Sequence, residues 1–219
     1  MVYLSKEATT LCDLINRTGS ISVIQAKYLV QTGFGRTEEM ARATIEILKS
    51  KNCIKSINDN YLVAYINGQM RKSDILTKWV MINEVIDIPL TIAEQKGEDY
   101  SEDLVNSDIS SFAAVNGQPD MFFFISNGQL FDVTYMDQNT LYKASYIKKN
   151  TPKPEHDQGY DTTELFVFDE SVNQNKVLNE LSSLELPMPY DVYFVDASSG
   201  LDKLPVLKFV PISGIRSIK

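Results

Sequence analysis

The chain has 219 residues and a mass of 24.7 kDa, and its 43% hydrophobic and 23% charged residues suffice for a buried core and exclude disorder by composition. Two cysteines (Cys12 and Cys53) and a single histidine (His156) exclude both a disulfide scaffold and a Cys/His zinc cluster. No apolar run approaches the roughly 18–20 residues of a membrane span and no basic-then-apolar leader opens the chain, so a cytoplasmic protein with no membrane contact and no cofactor is expected.

The net charge of −8 is unevenly spread. Residues 1–65 carry 8 Lys/Arg against 6 Asp/Glu, a balance of +2, whereas residues 66–219 carry 13 against 23, a balance of −10. Such an asymmetry points to two parts with different partners. In the first, Leu11, Leu14 and Ile15 fall on one face of a helix over residues 6–18, which Gly19 stops. Ser22-Val23-Ile24-Gln25 fits a capping box that opens a second helix to residue 32. Thr37 caps a third over residues 37–52, in which Met40, Ala43, Thr44, Ile47 and Leu48 are read as one buried stripe. Residues 53–57 and 61–65 read as two strands around the turn triplet Asn58-Asp59-Asn60.

Three short helices followed by a hairpin resemble a winged helix-turn-helix, and this element order sets a first domain at residues 1–66. The resemblance implies a recognition helix over residues 37–52 and a wing over residues 54–63, with contacts to duplex DNA through Arg36, Arg42, Lys49 and Lys55. Glu39 and Glu46 on the same helix oppose phosphate, so binding is expected to be weak and salt-sensitive. The alternative is a protein-interaction module without nucleic acid.

A second domain is expected over residues 67–219. Ser73 is read as the cap of a helix to residue 87, limited by Pro89, with Ile75, Leu76, Trp79, Ile82, Val85 and Ile86 as its apolar face. Six acidic residues between 94 and 108 read as a solvated loop or a polar helix. Strand patterns follow at 111–116, 121–125 and 130–135, the last two joined by Asn127-Gly128, a strong hairpin signal. A helical stretch at 138–149 and a polar loop at 150–163 come next. A strand at 164–168, a helix opened by Ser171-Val172-Asn173-Gln174 and running to 184, and strands at 191–195 and 206–210 complete the order. The fold class is thus α+β: the winged helix and then an α/β domain with one mixed sheet. Apolar strands at 121–125, 164–168 and 191–195 motivate a homodimer or a protein partner through residues 67–219.

Helix, three-strand meander, helix and strand resemble the PD-(D/E)XK, or restriction-endonuclease-like, fold. Pro119-Asp120 and Asp132-Val133-Thr134 carry the comparison. The resemblance implies Asp120 and Asp132 as metal-holding acids on neighbouring strands and Glu84 as a further acid, with a lysine two residues after the second acid. Thr134 stands in the lysine position, and a hydroxyl supplies no positive charge, so a catalytically inactive core is expected. Winged helix plus such a core resembles the replication-relaxation family, which implies a non-catalytic accessory protein of a plasmid or other mobile element. The alternative is a metal-dependent nuclease with migrated catalytic residues. His156, Cys12, Cys53 and the loop at 196–200 are read without a catalytic role.

Overall fold

The computed structural model describes residues 4–99, 102–115, 118–137, 139–140, 162–183, 189–196 and 206–212. Most of the helix expected at 138–149, most of the loop at 150–163 with His156, and the loop after Asp196 lie outside them; Asn139 and Thr140, which are described, form a turn. The fold is a mixed α+β arrangement with a small antiparallel sheet and a mixed six-stranded sheet.

Helix α1 spans Lys6–Thr18, with the Ser5 side chain accepting from the Ala8 amide at its start, and buries Leu11, Leu14 and Ile15 as the spacing predicts. Gly19 ends it at φ 81°. A two-residue strand β1, Ile21–Ser22, follows; two residues carry no period that a sequence can show. The capping box forms: the Gln25 amide donates to Ser22 Oγ (3.1 Å) and the Ser22 amide to Gln25 Oε1 (3.0 Å). It opens α2 (Val23–Tyr28), which widens into a π-helical turn over Leu29–Gly33. Thr37 caps α3 (Glu38–Ser50) through the Met40 amide. The buried stripe of α3 is Ala41, Thr44, Ile45 and Leu48, one position on from the stripe read in the sequence, so Met40 and Ile47 face outward. Strands β2 (Ile54–Ile57) and β3 (Tyr61–Ala64) form the hairpin, and β1 pairs with β3 to give the order β1-β3-β2.

Helix α4 (Lys72–Ile82) is buried on every side from Ser73 onward, as a helix enclosed between two layers must be. It starts at an Arg71 cap without a side-chain bond; Ser73 lies inside the first turn, where its carbonyl accepts from Thr77 Oγ1 (2.7 Å). Pro89 does not end the helical path. A π-helical turn over Asn83–Asp87 leads directly into α5 (Ile88–Lys96), with Pro89 in its first turn. The acidic stretch is helical at both ends, in α5 and in α6 (Glu102–Ser111).

The large sheet runs in sequence order: β4 (Ala113–Val115), β5 (Gln118–Ser126), β6 (Gln129–Met136), β7 (Thr162–Asp169), β8 (Tyr190–Asp196) and β9 (Val206–Pro211). The pairs β6–β7 and β7–β8 are parallel and the others antiparallel. Asn127 at φ 50° and Gly128 at φ 76° make the β5–β6 turn as the sequence signals. One face of the sheet packs Phe122, Phe124, Phe131, Val133, Leu165, Val167, Tyr193 and Val195 under α4, in a core continuous with α1–α3. The other packs Met136, Phe166, Phe168, Val192 and Phe194 against Val177 and Leu181 of α7 (Gln174–Ser182). The cap of α7 is Asn173, which accepts from the Lys176 amide; Ser171 instead donates its amide to Asp169 Oδ1. The apolar content of β7 and β8 is therefore consumed within the chain by cover on both faces.

Candidate functional site

The four basic side chains singled out in the sequence lie on α3, just before it, and on the hairpin. Arg42 donates to Glu38 Oε1 (2.5 Å), one helical turn back, and Lys49 to Glu46 Oε1 (2.9 Å). Arg36 Nε lies 3.8 Å from Glu7 Oε1 on α1. Lys55 sits on β2 opposite Val63 and is half-buried. Three of the four cations are thus engaged by carboxylates of the chain itself, which lowers the number of phosphates this surface can neutralise. Between them α3 exposes Met40 (45%) and Ile47 (46%), with the small, exposed Ala43 between these two. Tyr65, Ile66 and Met70, just past the hairpin, are exposed too, so five of the eight large exposed apolar side chains among the described residues fall between residues 40 and 70. The Tyr65 amide donates to the Cys53 carbonyl (3.2 Å), and the Cys53 amide to the Leu48 carbonyl (3.0 Å), which ties the root of the hairpin to the end of α3.

The carboxylates of the sheet differ in their neighbours. In the antiparallel β5–β6 pair Met121 opposes Thr134 and Phe123 opposes Asp132. The paired register of β5 and β6 begins at Met121, and Asp120 lies just before it. Side chains alternate along a regular strand, but β5 slips in register against β4 between Gln118 and Phe122, and Asp120 lies in that irregular stretch. Charges on Asp169, Asp137 and Asp120 add to burial in pushing the Tyr135 hydroxyl up to about 12. Glu84 lies on the α4 side in the π-helical turn and accepts from Tyr193 OH (2.6 Å), whose oxygen accepts in turn from Asn83 Nδ2 (3.0 Å).

Asp132 has a different neighbour. In the parallel β6–β7 pair it stands level with Glu164, and Thr134 Oγ1 donates to Glu164 Oε1 (2.7 Å). Burial pushes the Glu164 carboxyl up to about 8, against the Thr134 hydrogen bond and with help from the Asp132 charge. Burial also raises Asp132. The pair therefore holds a proton at neutral pH. Glu164 was not singled out in the sequence; the available signal was a lone glutamate inside the strand Thr162-Thr163-Glu164-Leu165-Phe166-Val167-Phe168, since a buried charge is the informative departure from an apolar run.

Among the described residues no group of three or more His, Cys, Asp and Glu side chains converges to hold a metal, and no helix is long and apolar enough to cross a membrane. No protein-family model matches the chain, and no curated protein matches it.

Proposed function

We propose that the chain is a non-catalytic accessory protein whose N-terminal unit, a winged helix-turn-helix by element order, works by protein contact through α3 and the root of the hairpin. The observation that carries this reading is the outward surface of α3: its cations are held by its own glutamates, and Met40 and Ile47 stand exposed where a duplex-reading helix would offer free donors. The setting of a plasmid or other mobile element rests on the resemblance of the element order to the replication-relaxation family. The nuclease-like second domain is inactive in this reading, because Thr134 stands where a lysine would be needed and serves Glu164 rather than a reacting water.

Weak duplex binding is the second reading, favoured by Arg42, whose side chain is 64% exposed beside its ion pair. Fluorescence anisotropy of the full chain with a labelled duplex separates the two. Protein contact predicts no binding, or binding at low salt that is gone at physiological ionic strength. Binding that persists there and weakens on Arg36→Ala with Arg42→Ala makes duplex recognition the function instead.

A further inference from the structure

Cys12 and Cys53 are the two cysteines of the chain; both are free thiols and both are half-buried. The fold brings them together from opposite ends of the N-terminal unit. Cys12 lies on α1, beside the stripe of Leu11, Leu14 and Ile15, and Cys53 follows α3 at the root of the hairpin. Helix α1 packs on both α3 and β3, and the two cysteines border the same apolar core. Their side chains lie within hydrogen-bonding reach of one another. Each sulfur has a further partner: Asn16 Nδ2 donates to Cys12 Sγ (3.4 Å), and Cys53 Sγ donates to the Lys51 carbonyl (3.9 Å). The backbone of Cys53 is tied on both sides, its amide to the Leu48 carbonyl and its carbonyl to the Tyr65 amide, so the corner that presents this thiol to α1 is fixed.

We propose that Cys12 and Cys53 form a site of reversible oxidation, closing to an intramolecular disulfide that fastens α1 to the root of the hairpin. A cysteine that serves only as a small core residue is surrounded by apolar groups; here each thiol meets the other, and each keeps part of its surface in solvent, where a small reagent can reach it. Closing the bond brings sulfurs already within hydrogen-bonding reach to about 2.05 Å. The loop so closed holds the end of α1, β1, α2 and α3. The bond therefore withdraws conformational freedom from most of the N-terminal unit once it unfolds, while leaving its folded contacts in place.

The oxidant is a low-molecular-weight disulfide, and the exchange balances in two steps. The Cys53 thiolate attacks one sulfur of the small disulfide; that S–S bond breaks, one half leaves as a thiolate and the other half stays on Cys53 as a mixed disulfide. Cys12 then loses its proton and attacks Cys53 Sγ, and the second half leaves as a thiolate. Two protein thiols are oxidised to one disulfide, the small disulfide is reduced to two thiols, and the two protons lost by the protein end on the two leaving thiolates. The order follows from the surroundings. Burial, and after it the charge and hydrogen bond of Cys53, push the Cys12 thiol up to about 11. Cys12 is therefore protonated at neutral pH and acts second, on a sulfur already placed beside it. An excess of small thiol runs the same steps backwards.

The test uses the full wild-type chain, reduced and then incubated with excess oxidised glutathione in the absence of denaturant. Its intact mass is expected to fall by two hydrogens with no glutathione retained, and a non-reducing digest to yield one cross-linked peptide holding Cys12 and Cys53. Because the fold holds the two thiols together, closure of the mixed disulfide is expected to be at least about tenfold faster in the folded chain than in urea. The thermal midpoint of the oxidised chain is expected to rise by about 4–16 °C, and dithiothreitol to return it to the reduced value. Cys12→Ser is expected to keep glutathione on Cys53 as a stable adduct, since the resolving thiol is gone. Stable glutathione adducts on the wild type, no reaction of the folded chain, a smaller rate ratio against urea, or a midpoint that does not rise each overturn the proposal.

Discussion

Glu164 and Lys78 are buried ionisable side chains whose protons pull stability in opposite directions. The Glu164 carboxyl is raised from 4.5 to about 8, so between those values the folded chain holds a proton that the unfolded chain has lost. Raising the pH through that window therefore erodes stability. The Lys78 amine is lowered from 10.5 to about 7, so between those values the unfolded chain holds the extra proton and raising the pH adds stability. The two contributions together give a minimum between about pH 7 and 8. Urea denaturation is expected to show lower midpoints at pH 7.5 than at pH 5.5 or 9.5. Glu164→Gln should flatten the acid limb and add about 1–3 kcal/mol at pH 8, because the amide keeps the Thr134 hydrogen bond without a charge to bury. An acid limb unchanged in that variant would show that Glu164 is not the group responsible. Neither role was legible in the sequence, where polarity shows but burial and strand face do not. Asp132 illustrates the same limit: its place in the strand is read at once, yet only the β6–β7 register reveals that it stands level with Glu164.

At the scale of elements, the signals that worked were those with a local mechanism. Ser22 with Gln25, Thr37, and Asn127-Gly128 each satisfy or bend the backbone within four residues, and each does in the fold what its chemistry predicts. Signals that depend on a distant partner slipped. The two candidate stripes of α3 share Thr44 and Leu48, and both fit a 3.6-residue period; packing of α3 on α1 and α2 selects Ala41 and Ile45 and turns Met40 and Ile47 out. Ser73 and Ser171 likewise had the right residue type at the wrong offset, since α4 and α7 begin where their packing puts them. The stripe assignment has a direct test by thermal or urea unfolding. Met40→Glu with Ile47→Glu should change stability by no more than about 1 kcal/mol, whereas Ile45→Ala should cost about 2–4 kcal/mol. The reverse order of costs would restore the stripe read from the sequence.

For the whole molecule, the α+β class and the mixed sheet followed from the succession of periods along the chain, but the joining of the parts did not. One core runs from α1 to β8, through a helix in which Asp74 and Lys78, outside the apolar face read in the sequence, are buried as well. Among the described residues the edge strands of the sheet carry guards: β4 is three residues long, and β9 carries Lys208 and Pro211. Light scattering is therefore expected to return a monomer of the isolated chain. Plasmid nicking with magnesium or manganese should likewise be absent, since in-line hydrolysis needs an activated water and charge stabilisation on one face. Metal-dependent nicking by the wild type that disappears on Asp120→Ala with Asp132→Ala would establish a nuclease.

The strand order of the large sheet is the order of the chain, each strand lying beside the one that precedes it. A sheet of that kind can be laid down by successive addition: the β5–β6 hairpin, closed by Asn127-Gly128, offers a template, and β7, β8 and β9 each find an already formed neighbour. Docking of the N-terminal helices is a different event, because its ties, such as Thr10 to Asn106 and Lys78 to Thr18, span 96 and 60 residues. A chain emerging from the ribosome thus presents the residues of its helical unit before those of the sheet they pack on have been made.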